Sequence, residues 1–501
     1  LALLVLVVGV ARLPRRAARG GAAGGAGGER AKLVIITPHN EQIRYEVGRA
    51  FNAWQLANGK TPIEFDWRSG GGTSDLREQV MHELAKAAAE GREDQGLGYD
   101  LFFGGGDIDH NTLATGPEVE RDGKRIKIPV TVPITLPAGL LEEAFPGDMI
   151  GSNRLYHPER RWVGVVLSAF GIVYNRDALA MLQLPEPTTW ADLADGRYLG
   201  WVALADPSHS GSISATYNAV VRRMGWDEGW RTLRRTFANA RYFTSSAAKV
   251  PIDVSSGEAA AGMCIDFYGR YQAGSVAAGR VGYIDPARLS TINADPISLM
   301  RGAPNEALAN EFVAWLLSRD AQRLWQLPVG AEGGPEKYAL RRMPIRRDLY
   351  TPAEQATWTD PINPFELAAP FPAAVPDYFR LIAPVTKAMA IDIHEELVAA
   401  WAAIQSLPPG DPRLPEALAL FDAMPPELVL QWPDTGLQAN WAAIVEDPAH
   451  PRHDELAKLL KAFASERVAM VRDPDRKGEL RLAWSAFFRA NYRKIVELCG
   501  D

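Results

Sequence analysis

The sequence predicts an α/β protein of two lobes followed by an all-helical C-terminal extension. Three observations carry this expectation. Apolar runs of strand length alternate with helical periodicity over residues 32–103. A second block of the same kind spans residues 137–289, and from residue 378 onward only helical spacing is found. Alternating strands and helices imply a parallel, doubly wound sheet with ligands at the carboxyl ends of its strands. A length of 501 residues calls for two or three domains.

The first element of this fold is Lys32-Leu33-Val34-Ile35-Ile36-Thr37, a continuous apolar strand. Ile43, Val47, Phe51 and Trp54 then recur at helical spacing, and Asn58-Gly59 ends the helix. Ile63-Glu64-Phe65-Asp66-Trp67 alternates as a second strand. Gly70-Gly71-Gly72-Thr73-Ser74-Asp75 is a glycine loop opening a helix over residues 74–90, and Tyr99-Asp100-Leu101-Phe102-Phe103 is the third strand. In the second block, strands are expected at residues 162–170 and 201–204, and helices at 177–182, 213–224 and 227–238. Tyr242-Phe243-Thr244 and Gly262-Met263-Cys264-Ile265-Asp266 complete it. An amphipathic helix over residues 306–324 carries Phe312, Trp315 and Leu316, and Pro-rich loops follow to residue 376. In the helical remainder, Trp484, Phe487, Phe488, Asn491 and Ile495 fall near one face and read as core.

The N-terminus has its own signal. Residues 1–11 read LALLVLVVGVA, an apolar run of signal-core length and too short to span a bilayer. With the Gly/Ala stretch of residues 20–28, a flexible linker, residues 1–30 are expected to be an export signal or membrane tether. The rival reading of the run is a buried strand.

Charge and motifs remove several function classes. A net charge of −7 argues against nucleic acid, which needs concentrated Lys and Arg. The one dense basic run, Arg341-Arg342-Met343-Pro344-Ile345-Arg346-Arg347, is broken by proline and is expected to be a solvated loop. Two cysteines, Cys264 and Cys499, provide neither a zinc motif nor a disulfide framework, although one bridge between them stays open. No nucleophile elbow, HExxH, Walker A or GxGxxG sequence occurs in the required context.

Chemistry is therefore sought in the loops at strand ends. The Ser69–Ser74 glycine loop precedes a helix, where free N–H groups attract an anion; a tight turn with Thr73 or Ser74 as N-cap is the alternative. Asp206-Pro207-Ser208-His209-Ser210-Gly211-Ser212 is a second such loop in the second block. A ligand held between two helix N-termini, one from each block, is the geometry of a clamp. His39 and Asn40 follow the first strand, and Gly105, Asp107, Asp109 and His110 follow the third. The acidic members, with His39 and Asp266, are of the type that binds a hard metal, or they form a solvated turn.

These segments together resemble the extracellular solute-binding proteins of ABC importers, in the type II periplasmic-binding fold and closest to the branch that includes ferric-iron binders. The resemblance rests on Val34-Ile35-Ile36-Thr37-Pro38-His39-Asn40-Glu41, Arg68-Ser69-Gly70-Gly71-Gly72-Thr73-Ser74 and Ser168-Ala169-Phe170-Gly171-Ile172-Val173-Tyr174-Asn175. It extends to Pro187-Thr188-Thr189-Trp190-Ala191-Asp192-Leu193, the Ala205–Ser212 loop and Val254-Ser255-Ser256-Gly257-Glu258-Ala259-Ala260-Ala261-Gly262. It implies a first lobe from residues 31–134 and 291–377, a second lobe from 135–290, hinge crossings near 130–134 and 287–294, and a helical extension over 378–501.

The resemblance implies a monomeric, extracytoplasmic receptor that closes on a small anionic solute or ferric iron and delivers it to an ABC permease in the inner membrane. The expected ligand-binding residues are His39, Asn40, Gly72, Thr73, Ser74, Gly105, Asp107, Ser168, Ser210, Gly211, Ser212, Asp266 and Tyr268. An iron site would use His39, Asp266 and Tyr268; Phe267 stands where ferric binders carry a second tyrosine. A ligand-sensing module and an enzyme acting on a small solute are the competing classes for the same fold.

Overall fold

The computed structural model describes residues 30–121, 123–275 and 279–500, so the apolar run at residues 1–11 lies outside the described residues. Among the described residues no helix is long and apolar enough to cross a membrane.

The first-lobe sheet runs in the order Met343–Pro344, Val163–Ser168, Asn293–Met300, Leu101–Phe103, Lys32–Ile36, Glu64–Arg68, with Thr131–Val132 also pairing Asn293–Met300. Lys32–Ile36 pairs in parallel with both neighbours, as strand–helix alternation requires. Its Leu33, Ile35 and Ile36 are buried because helices cover both faces of the sheet. Asp100, fully buried ahead of the third strand, accepts hydrogen bonds from Val34 N at 2.8 Å and Asn305 N at 2.6 Å and ties the strand ends together.

The second-lobe sheet runs Ala240–Thr244, Val202–Ala205, Ala261–Ile265, Phe170–Asn175, Val281–Ile284. Two segments join the lobes. The first passes from Val163–Ser168 into Phe170–Asn175 through the single residue Ala169, and the second returns from Val281–Ile284 to Asn293–Met300. Ser168 and Asn293 are paired antiparallel, so the crossings lie side by side. This corrects the expected first crossing near residues 130–134: Thr131–Val132 pairs inside the first-lobe sheet, and residues 163–168 belong to the first lobe. The expected strand at 162–170 is two strands in two sheets, a break that uniform apolarity conceals because every residue of both is buried.

Two other expectations are revised. The helix expected over residues 306–324 splits into Glu306–Leu316 and Arg319–Leu324, with Ser318 Oγ capping the second at Ala321 N. The basic run is no solvated loop. Arg342 and Arg346 are 0% and 1% exposed, because Met343–Pro344 forms an edge strand that draws both guanidiniums inward onto acidic partners. Cys264 and Cys499 are both free and buried.

The helical extension shares a core with the second lobe. Trp226 contacts the rings of Tyr378 and Phe463 and donates its Nε1–H to the Leu428 carbonyl at 2.8 Å. Trp401 donates to Asn239 Oδ1 at 2.9 Å, and the buried Arg234 donates to the Phe421 and Ala423 carbonyls. Before these helices a strap, residues 369–379, ties the extension to both lobes. Phe371 N donates to Ser152 Oγ of the first lobe at 2.8 Å, and its ring lies under Arg222 and Arg223 of the second-lobe helix Gly211–Met224.

Candidate functional site

The lobes meet over a cleft at the carboxyl ends of both sheets' strands, and they touch directly. His209 Nδ1 pairs with Asp75 Oδ1 at 3.0 Å across the cleft. A Cβ on Gly72 would stand 1.9 Å from the His209 carbonyl oxygen, and one on Gly211 would stand 2.6 Å from Asp109 Oδ2. Glycine lets the lobes approach here, because the Gly72 backbone rests on the His209 backbone and the Gly211 backbone on the Asp109 carboxylate.

Two cavities flank this contact and share Gly105, Ser212 and Ile265 in their walls. The larger, about 390 Å³, is lined from the first lobe by His39, Gly71, Gly72, Thr73, Gly105 and Asp295. From the second lobe it takes His209, Ser210, Ser212, Ser245, Ser246 and Tyr268. Three helices begin on its wall: Thr73–Ala89, Gly211–Met224 and Lys249–Ser256. In the first, Asp75 Oδ2 takes the Gly72 N–H at 3.1 Å. In the second, Ser210 Oγ accepts from Ile213 N at 3.3 Å and lies 3.0 Å from Ser212 Oγ. Remaining first-turn N–H groups and the aligned peptide dipoles favour an anion there, by up to about 2 kcal/mol for a partly buried site.

The deep wall is an ion network. His39 Nε2 pairs with Asp295 Oδ2 at 3.0 Å, and Arg342 Nη2 reaches the same oxygen at 2.5 Å and donates to Ser168 Oγ at 2.6 Å. Burial pushes the His39 imidazole below its usual range, Asp295 opposing. Burial would raise the Asp295 carboxyl, but Arg342 and His39 outweigh it and hold it down at about 2. The phenol of Tyr268 is pushed up to about 12 by burial. Gly104 and Gly105, both at φ +105°, make room for this wall: Cβ atoms there would stand 2.8 Å from His39 Cε1 and 2.3 Å from Thr73 Cγ2.

The smaller cavity, about 60 Å³, lies on the strap side and is walled by Asp107, Ser168, Gly211, Asn293, Arg222 and the strap's Asp377, among others. Burial, then the neighbouring Asp377, lifts the Asp107 carboxyl to about 6.

Of the expected ligand residues, His39, Gly72, Thr73, Gly105, Asp107, Ser168, Ser210, Gly211, Ser212 and Tyr268 all line one cavity or the other. Three do not. Asn40 caps the helix Glu41–Ala57, accepting from Ile43 N at 3.1 Å. Ser74 is buried one residue inside its helix, leaving Thr73 on the wall. Asp266 is fully buried behind the cavity wall, with Arg270 Nε at 4.0 Å and burial lifting its carboxyl to about 7. His39 and Tyr268 therefore share a cavity that Asp266 does not line, which corrects the expected iron set. Among the described residues no group of three or more His, Cys, Asp and Glu side chains is gathered to hold a metal ion.

Sequence reading missed Asp75, His209, Ser245, Ser246, Asp295, Arg342 and the strap. Ser245 and Ser246 end a parallel strand and were within reach of the strand-end rule. Asp295 and Arg342 carry no local pattern, since only the sheet pairing of Asn293–Met300 and Met343–Pro344 with Val163–Ser168 brings them to His39.

Residues 142–329 match the family model described as bacterial extracellular solute-binding protein. The phosphoglycerate transport regulatory protein PgtC of Salmonella typhimurium is 28% identical over 164 residues, covering 32% of this chain and 40% of that relative. An uncharacterized protein of Haemophilus influenzae is 27% identical over 161 residues, 32% of this chain and 46% of that relative. The chain thus spans less than half the length of these relatives. Among solved structures, the periplasmic binding protein AfuA from Actinobacillus pleuropneumoniae, with exogenous fructose-6-phosphate bound, superposes with a TM-score of 0.51 at 14% identity, covering 74% of this chain and 98% of that one. The periplasmic binding protein P5PA superposes with a TM-score of 0.50 at 15% identity, over the same shares. Residues 142–329 thus resemble the bacterial extracellular solute-binding proteins, and the chain takes the two-lobed fold of the periplasmic binding proteins.

Proposed function

We propose that the chain is the extracytoplasmic receptor of an ABC-type importer and that it closes on a small anionic solute, a phosphorylated compound in the first instance. The observation that carries this reading is the convergence of helix N-termini from both lobes on one cavity, at Gly72 and Thr73 and at Ser210 and Ser212. An anion there is shared between the lobes and stabilises the closed form by its differential affinity for it. The phosphoglycerate transport named for PgtC and the fructose-6-phosphate bound to AfuA support the same class. The permease partner and the extracytoplasmic location follow the matched family. Titration calorimetry with inorganic phosphate, glycerol phosphate and glycerate tests the reading. Saturable binding is expected, at least about fivefold weaker in Ser212→Ala, the worth of about 1 kcal/mol. Absence of binding by every anion, or equal binding by the variant, refutes it.

A further inference from the structure

The larger cavity offers N–H donors on its Gly/Ser side and acceptors on its deep side. His39 and Asp295 are 5% and 4% exposed, and His39 Nδ1 and Asp295 Oδ1 have no hydrogen-bond partner among the described residues. His39 Nε2 faces both Asp295 Oδ2 at 3.0 Å and Arg342 Nη1 at 3.2 Å, so the role of Nδ1 follows the tautomer, whereas the ionised Asp295 Oδ1 can only accept. A bare anion does not satisfy Asp295 Oδ1. The adjoining cavity repeats the chemistry: Asp107 from the first lobe and Asp377 from the strap both line it, and Arg222, the cation in its wall, is occupied by the Phe371 ring and the Val375 carbonyl.

The strap lies outside the matched residues 142–329. Its position is nonetheless fixed from both sides. Asp377 Oδ1 accepts from Phe379 N at 2.7 Å and from Asn218 Nδ2 at 3.2 Å, and Tyr378 N donates to Asn218 Oδ1 at 3.1 Å. These bonds use one carboxylate oxygen of Asp377, and none of them involves Oδ2.

Resting on the anion-receptor reading above, we infer that the strap completes the solute site: Asp377, with Asp107, accepts hydrogen bonds from N–H or O–H donors that the solute carries beside its anionic group. The solute class is then a phosphorylated amine or a phosphorylated polyol rather than a simple phosphate. The shared chemistry is a donor a few bonds from the anion, and the carbon chain between them runs from the larger cavity to the smaller past Gly105 and Ser212.

The test is calorimetric titration of the full chain with n-propyl phosphate, glycerol phosphate and phosphoethanolamine. A hydrogen bond to a charged acceptor makes at least one donor-bearing phosphate about tenfold tighter than n-propyl phosphate. Preference for phosphoethanolamine identifies the donor as an amine, and preference for glycerol phosphate identifies it as hydroxyl. In Asp377→Asn, which retains the acceptor used by Phe379 N and Asn218, and independently in Asp107→Asn, the preference drops below about threefold. Equal affinity for all three phosphates in the wild-type chain overturns the inference while leaving the anion receptor standing. So does a preference that survives in both variants. If no phosphate binds, the anion reading and this inference fall together.

Discussion

Replacing Gly72 by alanine isolates lobe closure from lobe stability. Gly72 has φ −74° and ψ 171°, values open to any residue, so alanine adds no backbone strain. Within its own lobe the new Cβ would meet Asp75 Oδ2 at a comfortable 3.6 Å. Across the cleft it would stand 1.9 Å from the His209 carbonyl oxygen, where real Cβ atoms essentially never come under 3.0 Å. The lobes must part by about 1 Å at this point or the loops must shift, a cost of about 1–3 kcal/mol for overpacking a fitted contact. That cost falls on the closed state alone. Calorimetry should therefore show solute affinity reduced by about 5- to 150-fold at unchanged stoichiometry, with the melting temperature of the ligand-free chain within about 2 °C of wild type. Gly105→Ala is the contrasting control: its clash is with Thr73 of the same lobe and its φ is +105°, so it should lower the melting temperature itself. Gly72→Ala protein that binds glycerol phosphate as tightly as wild type would refute the assignment of this contact to closure.

Two further outcomes follow from the buried charges. Arg342→Met leaves Asp295 without its guanidinium in a site where both are buried, and should cost about 3–5 kcal/mol in urea denaturation; a loss under about 1 kcal/mol contradicts the network as drawn. Asp266, raised from 3.8 to about 7 chiefly by burial, ionises more readily in the unfolded chain, so its ionisation withdraws stability as pH rises from about 4 to 7. Asp266→Asn should therefore raise the melting temperature at pH 8, leave it unchanged below pH 4, and leave phosphate affinity unchanged; a variant destabilised at pH 8 contradicts the burial argument.

The elements and the cleft were legible where one strand or helix carries its own signal. The apolar run at Leu33 to Ile36, the Gly72 loop and the Ser210 loop each announce a strand end or helix start by local composition, and all three meet in the structure. Asp266 misled for the same reason. It follows an apolar strand, as a cleft residue should, but it opens the helix Asp266–Ser275 and turns behind the wall while Tyr268 reaches the cavity. The hinge is hidden from the sequence because Val163 to Tyr174 is uniformly apolar apart from Ser168, and the change of sheet at Ala169 has no compositional mark. Charge density along the chain marks Arg342 as surface, because it says nothing of the acidic partner that the fold supplies. The strap was hidden because residues 369–379 are Pro-rich and lack periodicity, so only the tertiary structure shows that Asp377 reaches the cleft.

Closure of the two lobes on an anionic solute held between helix N-termini makes the particle more compact. Small-angle scattering of the full chain, titrated with the tightest-binding phosphate, tests it most directly. The radius of gyration should fall with a midpoint equal to the calorimetric Kd. A radius unchanged at saturating solute would contradict it.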